Sequence, residues 1–119
     1  EVCRIVLMQL LPAIVEQDCK CFGQGLTRIQ NITGKYFKNF QGGQFSSHQV
    51  ECVTNRLLEL GATGTGQTSW GPTGFALFGS ETDAFQAMKK IRNEYKNNRD
   101  LEILICSPRN KKADIQIEE

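Results

Sequence analysis

Apolar side chains occupy nearly every position of residues 2–15, with Arg4 and Gln9 as polar interruptions. A helix that is apolar nearly all round is normally enclosed by other elements or by a partner subunit, so this segment predicts an enclosed helix. Pro12 lacks an amide hydrogen and its ring clashes with the preceding turn. It is therefore expected to kink this helix or to restart it.

Three-four spacing of apolar residues predicts a second and a third helix. Asp18 is placed to cap the second, which runs to about Phe40. Its expected inward positions are Phe22, Leu26, Ile29, Tyr36, Phe37 and Phe40. Its three glycines weaken it by up to about 1 kcal/mol each relative to alanine, so packing must hold it. Ser46 and Gln49 form a capping box for the third helix, which ends at Gly61. The expected inward positions of that helix are Val50, Val53, Leu57 and Leu60.

Two strands are predicted at residues 62–66 and 73–79, joined by a loop at 67–72. The continuous apolar character of the second strand favours a central position in a sheet. Ser80 is then expected to cap a fourth helix. The inward positions of that helix are Ala84, Phe85, Met88, Ile91 and Tyr95. 

The end of the chain is apolar and β-branched at residues 101–106, which predicts a further strand. The alternation of Ile115 and Ile117 indicates a short edge strand after it. The order helix, strand, strand, helix, strand is that of an α+β, ferredoxin-like two-layer sandwich with an antiparallel sheet that lacks its first strand. The two helices before residue 41 are additions at its N-terminal side.

The size of the chain fits one domain covering residues 1–119, because 119 residues with 39% apolar composition can bury a core without staples. Glu1 is followed at once by the apolar helix, with no initiator Met and no cap. We therefore expect a fragment of a longer protein or a processed subunit.

Charge is balanced, with 14 Lys and Arg against 13 Asp and Glu, so no sequence-wide field attracts nucleic acid or an anionic membrane. No segment approaches the roughly 18 apolar residues of a spanning helix, and no signal-like segment is visible at the N-terminus. We expect a soluble, cytoplasmic protein that binds neither nucleic acid nor membrane.

The five cysteines are an odd number scattered through predicted helices and a strand, which does not suit a disulfide framework. Cys19 and Cys21 form the only close pair. Two residues apart on a helix, they point about 200° away from each other and cannot easily clamp one metal. With one His in the chain, a metal site is disfavoured, and we expect buried, unreactive thiols.

A segment rich in glycine, hydroxyl and amide groups, residues 61–72, runs directly into the apolar residues 74–78. Closely spaced glycines let several backbone N–H groups converge on an anion. A tight hairpin also needs glycine and carries no chemistry, so that alternative stays open. The Trp70-Gly71-Pro72 sequence favours a binding loop, because the Trp ring can form an apolar wall and its N–H can donate.

Together with residues 7–12, 41–45 and 107–110, this glycine segment resembles the GHMP superfamily, named for galacto-, homoserine, mevalonate and phosphomevalonate kinases. Within it, the chain is most similar to the C-terminal domain of the beta-ribofuranosylaminobenzene 5'-phosphate synthase family. The resemblance spans essentially all 119 residues, and Gly-Gln-Thr-Ser-Trp-Gly-Pro at residues 66–72 is its most specific part.

The resemblance implies a pentosyltransferase of methanopterin biosynthesis. Such enzymes join phosphoribosyl pyrophosphate to 4-aminobenzoate or 4-hydroxybenzoate and release carbon dioxide and pyrophosphate. It implies magnesium as a cofactor, because a pyrophosphate leaving group usually needs a divalent cation. It also implies an N-terminal domain with its own phosphate loop and most catalytic groups, so the fragment alone is expected to be inactive. A homodimer is left open.

The expected substrate and phosphate contacts are Gly64, Thr65, Gly66, Gln67, Thr68, Ser69, Trp70 and Gly71. The same cleft is expected to be lined by Gly42, Gly43, Gln44, Arg109 and Asn110. Each set has a plainer alternative. Trp70 can be a core residue that pins the loop, residues 42–44 a simple connection between helices, and residues 109–110 a solvated turn. No catalytic residue and no metal ligand is assigned.

Two other functions remain open at this point. One is a stand-alone ferredoxin-like module that binds a small anion and acts in regulation through dimerisation. The other is a structural domain that uses its apolar first helix as a dimer seam. His48 is expected to be an exposed residue at a helix start rather than a general base.

Overall fold

The computed structural model describes residues 1–68 and 70–111 of the chain. The elements, in order, are α1 (Val2–Ile5), a π-helical turn (Val6–Leu10), α2 (Leu11–Glu16), α3 (Cys19–Gln41), α4 (His48–Glu59), β1 (Gly64–Gln67), β2 (Gly74–Leu77) and α5 (Glu81–Glu94). They form a mixed α/β domain with one antiparallel two-stranded sheet. The buried apolar side chains are Ile5, Leu10, Ala13, Val53, Ala87 and Ile91.

Pro12 changes the first helix as expected. The π-helical turn Val6–Leu10 lies directly before it, and the Leu11 N–H donates to the Val6 carbonyl, five residues back. Proline has no N–H for the usual bond and its ring crowds the carbonyl four residues earlier, so the wider turn relieves the clash. The helix then continues as α2 with Pro12 in its first turn.

Within the described structure the other elements enclose the first helix on one face only, so the part of the expectation that concerns a partner subunit stays a prediction. Ile5, Leu10 and Ala13 are buried. The opposite face exposes five large apolar side chains, Leu7, Met8, Leu11, Ile14 and Val15. These stand at the spacing of one helical stripe, which is why the sequence alone shows an apolar helix without showing which face packs.

Helix α3 begins where predicted, because the Asp18 carboxylate accepts a hydrogen bond from the Cys21 N–H at 2.9 Å. Its buried positions, however, are the glycines Gly23, Gly25 and Gly34. Tyr36 and Phe40 are 74% and 78% exposed, so the predicted aromatic inward face is wrong at this end. The closest packing of this helix is therefore made by its small residues, while Phe22, Leu26, Ile29 and Phe37 are half-buried.

The closest approach joins α3 to the glycine segment. A Cβ atom on Gly23 would lie 2.3 Å from the Thr63 carbonyl oxygen, and one on Gly64 would lie 2.2 Å from the Gly23 carbonyl oxygen. Both distances fall far inside van der Waals contact, and both obstacles are backbone. Glycine is therefore required at both positions. The close packing of α3 on β1 offsets the loss of helix stability that a glycine within α3 causes.

The hairpin is confirmed, with β1 and β2 antiparallel and Gly64 opposite Leu77. The edge of β1 that faces away from β2 is covered by side chains of α3. The Thr27 hydroxyl accepts from the Thr65 N–H at 3.0 Å, and the Gln30 side-chain oxygen accepts from the Gln67 N–H at 3.2 Å. Within the described residues β2 pairs with β1 alone, so its predicted central position stays a prediction.

Helices α4 and α5 begin at serine caps. The cap of α4 is Ser47, one residue after the predicted Ser46, and its hydroxyl accepts from the Val50 N–H at 3.4 Å. Ser80 caps α5 as predicted, accepting from the Asp83 N–H at 3.2 Å. Of the predicted inward positions of α5, Ile91 is buried whereas Phe85 is 51% exposed.

Residues 101–106 form no strand, which corrects the sequence prediction. Their apolar, β-branched composition favours an extended chain, but a strand also needs a neighbour to share its hydrogen bonds. Here Arg92 of α5 donates to the Ile103 carbonyl at 2.7 Å, while Leu104 stays 67% exposed. The predicted strand around Ile115 and Ile117 lies outside the described residues. None of the described helices has the length and apolar character needed to cross a bilayer.

One ion pair joins α4 to α5. The Arg56 guanidinium donates to the Glu94 carboxylate, with Nη2 at 2.8 Å from Oε1, and its Nη1 lies 2.7 Å from Glu59 Oε2. The hydrogen bond from Arg56 holds the pKa of Glu94 below its ordinary value, and the same bond raises the pKa of Arg56. Glu94 therefore stabilises the fold when ionised.

We predict that Gly64→Ala lowers the free energy of unfolding by about 1–3 kcal/mol, the range typical of overpacking. The added methyl group would meet the Gly23 backbone, which cannot move aside as a side chain can. Gly79→Ala is the matched control, because its Cβ would lie 4.0 Å from the Cys19 sulfur, an ordinary contact. Urea denaturation of both variants measures the difference. Equal effects would contradict the close approach.

A second prediction concerns the pH dependence of the stability that Glu94 contributes. Because the folded pKa of Glu94 lies below the unfolded one, its contribution is complete above about pH 4.3 and is lost as the pH falls through the folded pKa. Glu94→Gln should destabilise the protein at pH 7, and the difference from the original chain should shrink on acidification. In an Arg56→Gln background the same change should have no such effect. A pH-independent difference would argue against the ion pair.

Candidate functional site

The glycine segment divides into a buried half and an exposed half. Gly64, Thr65 and Gly66 are buried in β1, with Thr65 only 5% exposed, and the N–H groups of Thr65 and Gln67 are bonded to Thr27 and Gln30. This corrects the expected anion cradle, because these two amides complete the edge of the strand. Gly66 has the same packing role, since its Cβ would lie 2.4 Å from the Gln30 side chain.

The exposed half begins at Gln67, the last residue of β1. We call residues 42–46 loop A and residues 68–73 loop B. The Gln67 side-chain oxygen accepts from the Ser46 N–H of loop A at 2.9 Å, and its amide nitrogen donates to the Gln41 side-chain oxygen at 3.2 Å. One side chain thus ties the start of loop B to loop A and to the end of α3.

Loop A is also joined to α3 by two hydrogen bonds of Gln44. The Gln41 amide donates to the Gln44 carbonyl at 2.9 Å, and the Gln44 amide donates to the Asn31 side-chain oxygen. Gly42 ends α3 with a positive φ of 79°, a backbone conformation that suits glycine. Loop A is thus linked to β1 through Ser46, while the cleft-lining role expected of Gly42, Gly43 and Gln44 stays a prediction.

Loop B closes on itself. The Thr68 N–H donates to the Thr73 carbonyl at 2.8 Å, and the Gly71 N–H donates to the Thr68 carbonyl at 2.7 Å. Gly71 has a φ of 73°, and a Cβ there would lie 2.0 Å from the Ser46 hydroxyl oxygen. Glycine at 71 is needed both for the turn and for the contact between the two loops. Ser69, a predicted contact residue, lies outside the described residues.

Trp70 stands at the tip of loop B and is 61% exposed, which excludes the alternative of a core residue. One side of its ring meets Phe37 edge-on, with ring centroids 4.7 Å apart, and Phe37 meets Tyr36 in the same way at 5.0 Å. Phe37 therefore fixes the indole while leaving most of it open. The three rings form an aromatic wall beside the amide-rich loops.

Arg109 and Asn110 are exposed in the irregular segment after α5, and their expected place in the cleft stays a prediction. His48 is the exposed first residue of α4, as expected. Among residues 1–68 and 70–111, no group of three or more His, Cys, Asp or Glu side chains could hold a metal ion.

Two grooves among the described residues have volumes of about 550 and 300 Å³. Both lie around Tyr95 and Asn98 after α5, and neither is lined by loop A or loop B. Sequence reasoning missed Gln30, Gln41 and Ser46. A signal was present: the small and polar residues Gly23, Thr27, Gln30, Gly34 and Gln41 recur at helical spacing on one face of α3.

Comparison with known proteins adds two curated relatives, both named beta-ribofuranosylphenol 5'-phosphate synthase. The protein of Archaeoglobus fulgidus is 28% identical over 118 residues, which cover 98% of this chain and 34% of that protein. The protein of Methanothermobacter thermautotrophicus is 30% identical over 73 residues, which cover 61% of this chain and 21% of that protein. The matched part is thus about a third or less of the length of these relatives.

No solved structure gives a significant match. The family described as GHMP kinases C terminal matches residues 10–97, which include α3, both loops, the hairpin and α5. This confirms the GHMP resemblance over most of the chain. The protein is therefore a member of the GHMP kinase C-terminal family.

Proposed function

We propose that this chain is the C-terminal, substrate-side part of a pentosyltransferase. The reaction joins the ribosyl carbon of phosphoribosyl pyrophosphate to the ring of a para-substituted benzoate and releases pyrophosphate and carbon dioxide. Family membership and the names of the two relatives support this proposal. The observation that carries it is the exposed Trp70 ring, supported by Phe37 and set beside two braced loops.

The aromatic wall is suited to the acceptor. A flat benzoate ring gains contact with an indole face, while the loop backbone and side chains can meet its polar substituents. The relatives are named for a ribofuranosylphenol product. Loss of carbon dioxide from a 4-hydroxybenzoate leaves a phenol, whereas a 4-aminobenzoate would leave an aniline, so we propose 4-hydroxybenzoate as the first acceptor to test.

The donor phosphates are proposed to bind mainly outside this chain. The Thr65 amide, one of those expected to hold them, is bonded to α3, as is the neighbouring Gln67 amide, so neither is available in this arrangement. The same observation removes the main support for a stand-alone anion-binding module. The proposed contribution of this chain is therefore mainly the aromatic wall at loop B.

The described residues include no group of three or more His, Cys, Asp or Glu side chains that could hold a magnesium ion on their own. We therefore assign no step to the metal on this chain. Its role with pyrophosphate, which usually needs a divalent cation, stays a proposal for the complete enzyme.

We further propose that the sheet is completed as a ferredoxin-like sheet by a strand beside β2. The far edge of β1 is covered by Thr27 and Gln30, whereas β2 pairs on one side only within the described structure. Its residues 74–78 are uncharged, and proteins usually protect such an edge. The remainder of a longer two-domain chain is the proposed source of that strand.

The prediction that tests the site uses the full-length enzyme. Trp70→Leu should raise the KM for 4-hydroxybenzoate about tenfold, equal to about 1.4 kcal/mol, and change the KM for phosphoribosyl pyrophosphate much less. Carbon dioxide release at varied concentrations of each substrate measures both constants.

Phe85→Leu is the control for this experiment, because Phe85 is another exposed ring, 51% accessible, on α5. It should leave both constants unchanged. Equal effects of Trp70→Leu on the two substrates would give Trp70 a scaffold role. Absence of carbon dioxide release from either benzoate would overturn the proposed reaction itself.

A further inference from the structure

A thiol and an imidazole stand together at the start of α4, which directly follows loop A. Cys52 is exposed, and its sulfur lies 3.6 Å from Nε2 of His48, one helical turn earlier. The expectation of buried thiols is wrong for this residue, as it is for Cys3, Cys19 and Cys106, which are also exposed. Exposure alone does not make a thiol reactive. The reactivity of Cys52 therefore depends on the side chains around it.

The second nitrogen of the same imidazole faces a carboxylate. His48 Nδ1 lies 3.7 Å from Glu51 Oε2, so the ring stands between the carboxylate and the thiol. A carboxylate on the Nδ1 side favours the tautomer with its proton on Nδ1. That tautomer leaves the Nε2 lone pair directed to the Cys52 sulfur, where it can accept the thiol proton.

Cys19 provides a natural comparison within the same chain. It is also exposed, and its sulfur lies 3.6 Å from the Thr63 hydroxyl oxygen. Cys19 is the first residue of α3, where the helix N-terminus favours a thiolate, whereas Cys52 is the fifth residue of α4. Exposure and distance are thus matched and helix position favours Cys19, so a faster reaction at Cys52 reports on its imidazole neighbour.

We propose that Cys52 is a modification site for small disulfides, with His48 as the base that takes its proton. The Cys52 sulfur attacks one sulfur of the disulfide, the old S–S bond breaks and a mixed disulfide forms. His48 passes the proton to the departing thiolate. Cys52 is oxidised, and the released half of the small disulfide is reduced to a thiol, so the step is balanced.

The test treats the folded protein with 2-hydroxyethyl disulfide, an uncharged probe, and follows each cysteine by peptide mass spectrometry. Cys52 should form its mixed disulfide about tenfold faster than Cys19. His48→Gln should lower the Cys52 rate about tenfold and leave the Cys19 rate unchanged. Because the His48 side chain is 88% exposed, this substitution removes little packing.

Glu51→Gln should lower the Cys52 rate by a smaller factor of about two to three, because it acts through the imidazole. The proposal is overturned if Cys52 reacts no faster than Cys19, or if His48→Gln leaves the Cys52 rate unchanged. A loss of rate at both thiols in the His48 variant would also count against it, since a general loosening of the fold would then explain the result.

Discussion

The contact on which the structure depends is the backbone approach between α3 and β1. At Gly23 and Gly64 the backbones of α3 and β1 come so close that a single methyl group on either residue would overlap the opposite backbone. The approach brings the side chains of Thr27 and Gln30 within hydrogen-bond distance of the strand. Helix and sheet are therefore joined through backbone and hydrogen bonds more than through large apolar side chains.

This contact also positions the candidate site. Since β1 is fixed on α3, its last residue, Gln67, emerges next to the end of the helix and can bridge loop A and Gln41. Loop B then turns back over Ser46 and presents Trp70 against Phe37. The aromatic wall thus depends on glycines that lie further down the strand and touch no ligand in our account.

Much of the fold follows from local sequence signals. The caps at Asp18 and Ser80, the effect of Pro12 and the hairpin were all predictable, because each depends on residues that are neighbours in sequence. The strand at 101–106 was not, because a strand requires a partner that local composition cannot supply.

The candidate site was predictable only where it depends on local sequence. The sequence indicates the loops and Trp70, but glycine suits both an anion cradle and a close backbone contact. Only the position of α3 decides between them, and that position depends on contacts between residues some 40 apart, such as Gly23 with Gly64. The exposed aromatic end of α3 was misjudged because apolar spacing marks a face without showing what covers it.

The central claim is that the amides of the glycine segment serve the fold while loop B serves the ligand. Hydrogen exchange of the Thr65 and Gln67 amides, measured with and without phosphoribosyl pyrophosphate, tests it most directly. The account predicts slow exchange at both amides without ligand and no further protection when it is added. Rapid exchange in the free protein that becomes slow with the ligand would show that these amides bind the phosphates after all.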